Sequence, residues 1–251
     1  MPTPTNPQQW NTPPSTLQLS PDEIHVWQAS LVVSEATLQQ LTSTLSSKEQ
    51  NRAASFHFDK DRTRWMVARA VLRILLARYL NTDPHHLDFD TNLYGKPFLT
   101  HPSLPTPLQF NLSHSGDLAL YAFTYARHIG IDIEYKRAGI DYDALARVSF
   151  APNERAALRS LPDSLQHDAF YNCWSRKEAY IKARGKGIYI PLDQFDVSLL
   201  PGVPAALLHS REDPEAPTHW TLHDLPSIPD YASALAVEGS NWNLTCWRFT
   251  S

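Results

Sequence analysis

The sequence predicts an α+β fold made of two similar halves in one chain. Segments with helical periodicity are followed by short strand-like segments, and this order occurs twice within the 251 residues. A chain of that length can form two small domains with cores of their own. We therefore expect a mobile proline-rich tail at 1–20, an N-terminal α+β half at 21–125 and a C-terminal α+β half at 126–251. A ligand cleft is expected at the seam, since clefts between domains commonly bind ligands.

Composition and charge narrow the class of protein. No apolar run approaches the roughly 18 residues of a membrane span, and the first residues lack the basic and apolar blocks of a secretory signal. Only Cys173 and Cys246 occur, too few for a disulfide scaffold. The net charge of −4 disfavours nucleic acid as the main partner. We expect a soluble cytoplasmic protein that meets an anionic ligand with a local basic patch.

In the first part of the chain, the pattern predicts one strand, three helices and then several short strands. The strand covers residues 24–29, where the side chains alternate in polarity. Helices are expected at 34–45 and 47–56, each opened by a serine able to cap, and the strongest helical pattern runs from 61 to 80. The strands that follow are expected at 87–93, 109–113, 118–124 and 128–135.

The polar face of the 61–80 helix carries several arginines. Charged residues opposite an apolar stripe normally face water, so we interpret four of them as solvating an exposed surface. These are Arg62, Arg69, Arg73 and Arg78. Arg64, in the first turn, stays open as a group that could bind an anion.

The second part of the chain repeats the order of helices followed by strands. Helices are expected at 142–148, at 153–161 and from about 164 to 183, and Gly185 closes the last one. The strands are expected at 195–200, 205–210, 220–222, 231–237 and 242–249. The two halves would then join near 125–140.

Two carboxylates, Asp132 and Glu134, lie within the strand-like stretch at 128–135. Alternate side chains of a strand share a face, so both acids point one way while Ile131 and Ile133 point the other. Adjacent negative charges weaken a strand unless something positive lies between them, and a divalent cation is the simplest answer. The alternative is an acidic pair on the solvated face of a strand.

A third carboxylate, Glu178, lies in the helix that Gly185 closes. Glu178 and Lys182 are four residues apart and share a face, which is also the spacing of an ordinary helix ion pair. A third acid beside a lysine also suits Mg²⁺ bound to a phosphate-rich substrate, because Mg²⁺ fills its octahedron with water and phosphate oxygens. Taken alone, the residues leave both interpretations open.

Four stretches, taken together and in order, resemble the Sfp-type 4′-phosphopantetheinyl transferases. They are 94–97 (YGKP), 110–115 (FNLSHS), 130–134 (GIDIE) and 174–187 (WSRKEA to GKG), and the likeness runs from about residue 46 to residue 191. The resemblance implies transfer of the 4′-phosphopantetheine arm of coenzyme A to a serine of an acyl or peptidyl carrier protein, releasing adenosine 3′,5′-bisphosphate. It also implies a monomer with two α+β halves in a pseudo-twofold arrangement and coenzyme A between them.

Carried over by motif, the resemblance implies a magnesium site and a catalytic set. Asp132, Glu134 and Glu178 match the family's Mg²⁺ ligands. Glu178 also matches the residue proposed to accept the serine proton, directly or through a metal-bound water. Lys182 would contact the pyrophosphate and stabilise its developing charge. The expected catalytic set is Glu178, Lys182, Asp132 and His114.

The resemblance also assigns residues to the nucleotide end of coenzyme A. The expected coenzyme A-binding set is Arg52, Arg64, Lys96, Ser113, His114 and Lys182. One departure is visible, because Glu49 stands where many relatives carry a second basic residue one turn before Arg52. We expect a lower affinity for coenzyme A from this change. Ile140 and Tyr142, after the acidic strand, are candidates for contact with the carrier.

Two other functions remain as alternatives. Another Mg²⁺-dependent phosphotransferase or hydrolase could use the same three carboxylates, although the sequence has no glycine-rich phosphate loop. A non-catalytic coenzyme A-binding protein could keep the fold, although three acids beside a lysine are destabilising to retain without a cation. The sequence leaves the carrier open among fatty acid, polyketide and nonribosomal peptide synthesis.

Overall fold

The computed structural model describes residues 9–100 and 108–250. Within these ranges the chain forms eleven strands and seven α-helices. The strands are β1 (Glu23–Ser30), β2 (Phe89–Thr91), β3 (Pro97–Leu99), β4 (Leu108–Ser115), β5 (Leu118–Tyr125), β6 (Ile129–Tyr135), β7 (Phe195–Val197), β8 (Leu207–Ser210), β9 (Trp220–Asp224), β10 (Tyr231–Glu238) and β11 (Asn243–Arg248). The helices are α1 (Glu35–Thr42), α2 (Ser47–Ala54), α3 (Asp59–Leu80), α4 (Tyr142–Ser149), α5 (Pro152–Ser160), α6 (Asp163–Arg184) and α7 (Ala216–His219).

The first sheet has the strand order β11-β1-β5-β4 and carries α3 on one face. β5 is buried on both sides because its side chains alternate between two cores. Tyr121 and Phe123 pack with α3, whereas Leu120 and Ala122 face the second sheet. α3 ends at Asn81, whose φ of 48° lies in the left-handed region that stops a helix.

The second sheet has the order β6-β10-β9 and carries α6 on its outer face. Ala232, Ala234 and Ala236 of β10 belong to the core that α6 covers, and such small side chains allow a close approach. Gly130 of β6 is required for this packing, since a Cβ there would lie 2.1 Å from the carbonyl oxygen of Ala179. The helix backbone therefore rests directly on β6, and α6 ends at Gly185 as predicted.

The two sheets share a third core. Ile24 and Val26 of β1 contribute to it from the first sheet, and Ile131, Ile133 and Leu235 from the second. The fold is thus α+β, with α3 and α6 outside two sheets that meet at a central seam. Among the described residues, none of the helices combines the length and apolarity needed to cross a membrane.

The last strand does not follow the predicted division of the chain at residue 125. β11 belongs to the second half by sequence, but it pairs in parallel with β1 of the first sheet, with Cys246 opposite Val26. Trp247 packs into the core beneath α3. The C-terminal half therefore returns its final strand to the N-terminal sheet, a long-range pairing that no local pattern encodes.

The predicted mobile tail needs correction over the part that the structure describes. Residues 1–8 lie outside the described residues. Beyond them, the Trp10 Nε1 donates to the Pro226 carbonyl at 3.3 Å. The Asn11 backbone N–H donates to the Cys246 carbonyl at 2.9 Å, so this segment adds one bridge beside β11. Residues 10 and 11 are therefore held against the body by contacts with Pro226 and with β11.

Two arginines of α3 are not solvent-exposed, and their interpretation as solvating residues was wrong. Arg73 is 1% exposed, and its guanidinium donates to Glu49 Oε2 at 2.9 Å and to the Leu87 carbonyl at 3.0 Å. Arg69 also pairs with Glu49 and lies over the Phe89 ring, with Cζ 3.9 Å from its centroid. Burial of the Glu49 carboxylate requires these partners. Arg62 and Arg78, by contrast, fit the prediction: Arg62 forms a partly exposed pair with Asp59, and Arg78 is exposed.

Candidate active site

Strands β4 and β6 lie side by side at the seam, and side chains of β4 link them. Asn111 Oδ1 accepts a hydrogen bond from the backbone N–H of Ile131 at 2.8 Å. Ser115 Oγ accepts one from the backbone N–H of Tyr135 at 3.1 Å. Backbone donors of β6 that a further strand would otherwise engage are satisfied in this way. The register of β6 against β4 is therefore set by two polar side chains.

The same face of β4 meets the two acids of β6. Ser113 Oγ donates to Asp132 Oδ1 at 2.9 Å, and Ser115 Oγ donates to Glu134 Oε2 at 2.9 Å. Because both strands repeat every two residues, each hydroxyl reaches the acid opposite it. The acids lie on the face of β6 opposite the third core, where Asp132 is only 1% exposed and Glu134 is half-buried. The solvated-face alternative for this acidic pair is therefore wrong.

Lys182 of α6, in the same half as the two acids, enters this cluster beside Ser113 of the N-terminal half. Its Nζ donates to Asp132 Oδ1 at 2.5 Å and to Ser113 Oγ at 3.0 Å. Among the described residues, the ion pair of Lys182 is with Asp132 and not with Glu178, so the helix-pair interpretation does not apply. Burial lowers the pKa of Lys182, but the charge and hydrogen bond of Asp132, together with the charges of Glu178 and Glu134, raise it above the ordinary value.

Glu134 and Glu178 complete a cluster of three acids around one lysine. Burial raises the pKa of Glu134, and the negative charge of Asp132 raises it further. Burial and then the charge of Asp132 likewise raise the pKa of Glu178, against the opposing effect of Lys182. The three carboxylates are therefore near enough to repel one another, although they lie on two different elements.

The donor set of this cluster fits a hard divalent cation. The buried Oδ2 of Asp132 has no hydrogen-bond partner among the described residues, and Lys182 and Ser113 both use Oδ1. Carboxylate oxygens are the protein ligands that Mg²⁺ prefers. Within the described ranges, no three His, Cys, Asp or Glu side chains are already assembled in a geometry that holds a metal. Asp132, Glu134 and Glu178 would have to move together to close around the ion.

Lys96 lies beside the cluster, in a cavity of about 220 Å³ between the 94–97 turn and the end of α6. Its Nζ donates to the carbonyl of Ile129 at 2.9 Å and to that of Ala183 at 3.4 Å. Burial lowers the pKa of Lys96 to about 8. Lys182 and Asn111 line the same cavity, which therefore adjoins the acidic cluster.

Arg64 and His114 lie at the other side of Lys182. Desolvation of the ring and then the positive charges of Lys182 and Arg64 lower the pKa of His114. His114 follows Ser113 on β4, and Arg64 forms an ion pair with Asp117 in the turn after β4. Of the predicted site residues, Ser113, Lys96 and His114 thus each lie near Lys182, and Arg64 lies near His114; we call this region the cationic corner.

Arg52 is not part of this arrangement. It lines a separate cavity of about 260 Å³ between α2, α3 and β2, together with Lys48, Trp65 and Arg69. Glu49 lines that cavity as well, where it accepts hydrogen bonds from the Ser46 backbone and from both buried arginines of α3. The acid at this position thus connects α2 to α3.

The predicted carrier contacts are turned inward. Ile140 and Tyr142 pack against the core of the second half, and the Tyr142 ring lies 6.1 Å from that of Phe170. The apolar side chains that α4 exposes are Leu145, at 41%, and Val148, at 80%.

Two supporting residues, Asn111 and Ser115, were not assigned a role from the sequence. Both belong to the 110–115 stretch, in which Ser113 and His114 alone received one. Their position at alternate residues with Ser113 was the available signal, because it places all three side chains on one face of β4.

The comparisons with known proteins agree with this geometry. A family model described as "4'-phosphopantetheinyl transferase, N-terminal" matches residues 27–125, and one described as "4'-phosphopantetheinyl transferase superfamily" matches residues 128–236. The 4'-phosphopantetheinyl transferase HetI of Nostoc sp. is 40% identical over 240 residues, which cover 96% of this chain and 98% of that protein. The 4'-phosphopantetheinyl transferase Sfp of Bacillus subtilis is 34% identical over 167 residues, covering 66% of this chain and 72% of that one.

A more distant relative carries the same activity in its name. The L-aminoadipate-semialdehyde dehydrogenase-phosphopantetheinyl transferase of Homo sapiens is 32% identical over 166 residues, covering 63% of this chain and 54% of that protein. The matches to the two family models meet between residues 125 and 128, close to the predicted division of the chain. With both halves matched, and with one relative 40% identical over almost its whole length, the chain belongs to the 4'-phosphopantetheinyl transferase superfamily and is an enzyme of that class.

Proposed function

We propose that this enzyme transfers the 4'-phosphopantetheine arm of coenzyme A to a serine of an acyl or peptidyl carrier protein, with Mg²⁺ bound at the seam. The observation that carries the proposal is the buried cluster of Lys182, Asp132 and Ser113, with Oδ2 of Asp132 free beside it. A lysine and several carboxylates together match a substrate that carries a pyrophosphate and its metal ion.

Asp132, Glu134 and Glu178 would hold the ion. A bound Mg²⁺ supplies positive charge to the pyrophosphate oxygens and to the departing bisphosphate. The raised pKa of the two glutamates reflects a repulsion that a cation would relieve. Metal binding is therefore expected to lower the pKa of both groups and to stabilise the fold.

Lys182 supplies a fixed positive charge to the same end of the substrate. Asp132 holds the pKa of this lysine above its ordinary value, so the ammonium keeps its proton at neutral pH. Its position between the two halves aims that charge at a pyrophosphate lying in the seam. The charge that develops on the leaving bisphosphate is then met by a group that is already in place.

Glu178 is the proposed proton acceptor. Burial and the charge of Asp132 raise the pKa of Glu178 in the absence of the ion. A bound cation would lower this pKa, so the proposed role of Glu178 rests on its place in the cluster and not on a raised basicity. The carrier serine loses its hydroxyl proton to Glu178, directly or through a water, as its oxygen forms a bond to the β-phosphorus of coenzyme A. The bond between that phosphorus and the bridging oxygen breaks, and adenosine 3′,5′-bisphosphate leaves.

The cationic corner would bind the nucleotide end of coenzyme A. Lys96 shares a cavity with Lys182, and His114 lies near the charges of Lys182 and Arg64. This local patch allows a chain with a net charge of −4 to bind a strongly anionic substrate. Arg52, in its own cavity, would contribute only if the ligand extends past Arg64 towards α2.

The carrier is proposed to contact the exposed face of α4. Val148 and Leu145 present apolar surface there, and Arg147, which pairs with Asp143, lies beside them. Such a surface complements a carrier protein, because the family resemblance implies that the carrier has an acidic helix next to the modified serine. Val148→Asp should raise the KM for the carrier and leave the KM for coenzyme A unchanged. Val32→Asp, at a similarly exposed valine near α1, is the matched control.

Calorimetric titration of coenzyme A, together with an assay for released adenosine bisphosphate, separates the proposal from its alternatives. Coenzyme A should bind more tightly with Mg²⁺ present, and adenosine bisphosphate should appear only when a carrier is added. Release without a carrier would point to a hydrolase. Binding that is indifferent to Mg²⁺, with no release under any condition, would point to a non-catalytic coenzyme A-binding protein. A cytoplasmic location and a monomeric state stay predictions.

A further inference from the structure

Arg64 is tied to the turn that carries the site residues of β4. It lies near the start of α3, and its Nη2 forms an ion pair with Oδ1 of Asp117, which stands between β4 and β5. Ser113 and His114 lie at the end of the same strand. The ion pair therefore links α3 to the part of β4 that faces the acidic cluster.

The backbone of Asp117 is held independently of its side chain. Its N–H donates to the Tyr231 hydroxyl at 3.1 Å, and its carbonyl accepts from the Leu31 N–H at 2.8 Å. Gly116 beside it has a φ of 57°, and a Cβ there would lie 2.6 Å from the Tyr231 hydroxyl. The turn is thus fixed by contacts to both sheets, and a change of the carboxylate alone leaves these contacts in place.

The ion pair contributes little to the stability of the fold. The Asp117 side chain is 55% exposed and that of Arg64 is 20% exposed. Ion pairs so open to water are weakly stabilising because solvent screens them. A role in holding the position of Arg64 accounts better for the contact, since a free arginine side chain samples many rotamers that binding would have to restrict.

Within the part of the chain that the structure describes, Asp117 is the hydrogen-bond partner found for Arg64, which leaves its other donors to a ligand. Asp117 engages one of the five N–H donors of the guanidinium. The positive charge of Arg64 is near enough to His114 to lower the pKa of that ring. The guanidinium is therefore held at the edge of the cationic corner, where coenzyme A is proposed to bind.

We propose that Asp117 is a positioning residue, which holds the guanidinium of Arg64 towards the anionic end of coenzyme A before the substrate arrives. The inference rests on the proposed function, in which Arg64 contacts coenzyme A. The direction of the change in coenzyme A affinity distinguishes positioning from a simple effect of charge. Loss of a negative charge near an anion site should by itself improve binding, whereas loss of positioning should weaken it.

A double-mutant cycle tests this inference. Asp117→Asn, Arg64→Met and the double variant are compared with the parent enzyme by KM for coenzyme A, kcat and Tm. Asp117→Asn should raise KM about 3- to 10-fold, the effect of losing a preorganised contact, with kcat and Tm almost unchanged. Arg64→Met should raise KM further, and the double variant should equal Arg64→Met. Asp117→Glu should restore part of the loss.

Asp168→Asn is the matched control, because Asp168 pairs with Lys136 at a partly exposed site away from the cationic corner. Its KM should equal that of the parent. A KM for Asp117→Asn that falls or does not change, or effects of the two single changes that add fully, would overturn the inference. Calorimetric Kd values for coenzyme A on the same variants test the role of Asp117 even if no carrier is modified. Failure to modify any carrier would count against the proposed transfer and not against this inference.

Discussion

The ammonium of Lys182 lies 2.5 Å from Oδ1 of Asp132, a pair within the C-terminal half that meets Ser113 of the N-terminal half at the seam. Ser113 from β4 contacts both groups, so α6, β6 and β4 converge on one buried carboxylate. Gly130 makes the convergence possible by letting the α6 backbone rest on β6. The fold thus places a positive charge beside acids that would otherwise repel one another.

Removal of one acid should abolish transfer without unfolding the protein. Asp132→Asn or Glu178→Gln should lower kcat on the order of 10²-fold or more, because each change removes one preorganised electrostatic contact. Steady-state kinetics with an apo carrier protein provides the measurement, and circular dichroism checks the fold. Asp193→Asn, at an exposed position, serves as the control. Activity that falls only in step with Tm would indicate that the acids have a structural role.

Lys182 should stabilise the protein most when no cation is present. Lys182→Met leaves the Asp132 carboxylate buried without a charged partner, so the free energy of unfolding should fall by about 1–3 kcal/mol. Saturating Mg²⁺ should recover more of this loss than it adds to the parent, since a cation would take over the balancing charge. Thermal unfolding with and without Mg²⁺ measures the difference.

The matched control for Lys182 is Lys186→Met. Lys186 pairs with Glu212 at an exposed position beyond the end of α6, so its loss should change Tm little and should not alter the response to Mg²⁺. Equal responses of the two variants to Mg²⁺ would show that the ion does not bind beside Asp132.

Coenzyme A affinity should decline as Lys96 loses its proton. Burial brings the pKa of Lys96 down to about 8 from an ordinary value of 10.5, so the ammonium is present at pH 7 and largely lost at pH 9. An anionic ligand favours the protonated form, hence Kd should rise across this window. Lys96→Met should bind weakly at both pH values, with the parental pH dependence removed. Calorimetric Kd values at pH 7, 8 and 9 make the comparison, and a parent Kd that is flat across them would refute the assignment.

Asn111 should matter for stability through a single backbone contact. Asn111→Ala leaves the buried N–H of Ile131 without its acceptor, which should cost about 1–3 kcal/mol in the free energy of unfolding. Urea denaturation measures this change. Ser43→Ala removes a hydroxyl that bonds at the exposed end of α1 and should cost far less. A similar loss in the two variants would mean that the seam does not depend on this contact.

Much of the acidic cluster could be predicted because it follows from local periodicity. The two-residue period of β6 placed Asp132 and Glu134 on one face, and the helical period of α6 placed Glu178 and Lys182 on another. The sequence could not show which acid Lys182 would contact, since that depends on how closely α6 approaches β6. Gly130 determines this distance, and its role becomes visible only against the helix backbone.

The sequence-based predictions that were wrong concern residues whose contacts lie in distant segments of the chain. Arg73 was predicted to lie on a solvated face, but it is buried and its guanidinium donates to Glu49 of α2 and to the Leu87 carbonyl. β11 lies in the second half of the chain, yet it completes the first sheet beside β1. Neither partner lies within the window in which helical or strand periodicity operates. The two elements that were missed, β3 and α7, are three and four residues long, too short to show a period.

Transfer by the cluster around Lys182 and Asp132 is tested most directly by the intact mass of an apo carrier protein after incubation with this enzyme, coenzyme A and Mg²⁺. We expect the carrier to gain the mass of one phosphopantetheine arm, a chelator to abolish the gain and Asp132→Asn to fail to produce it. A gain that persists in the presence of chelator, or in the Asp132→Asn variant, would contradict the central role assigned to the cluster around Lys182 and Asp132.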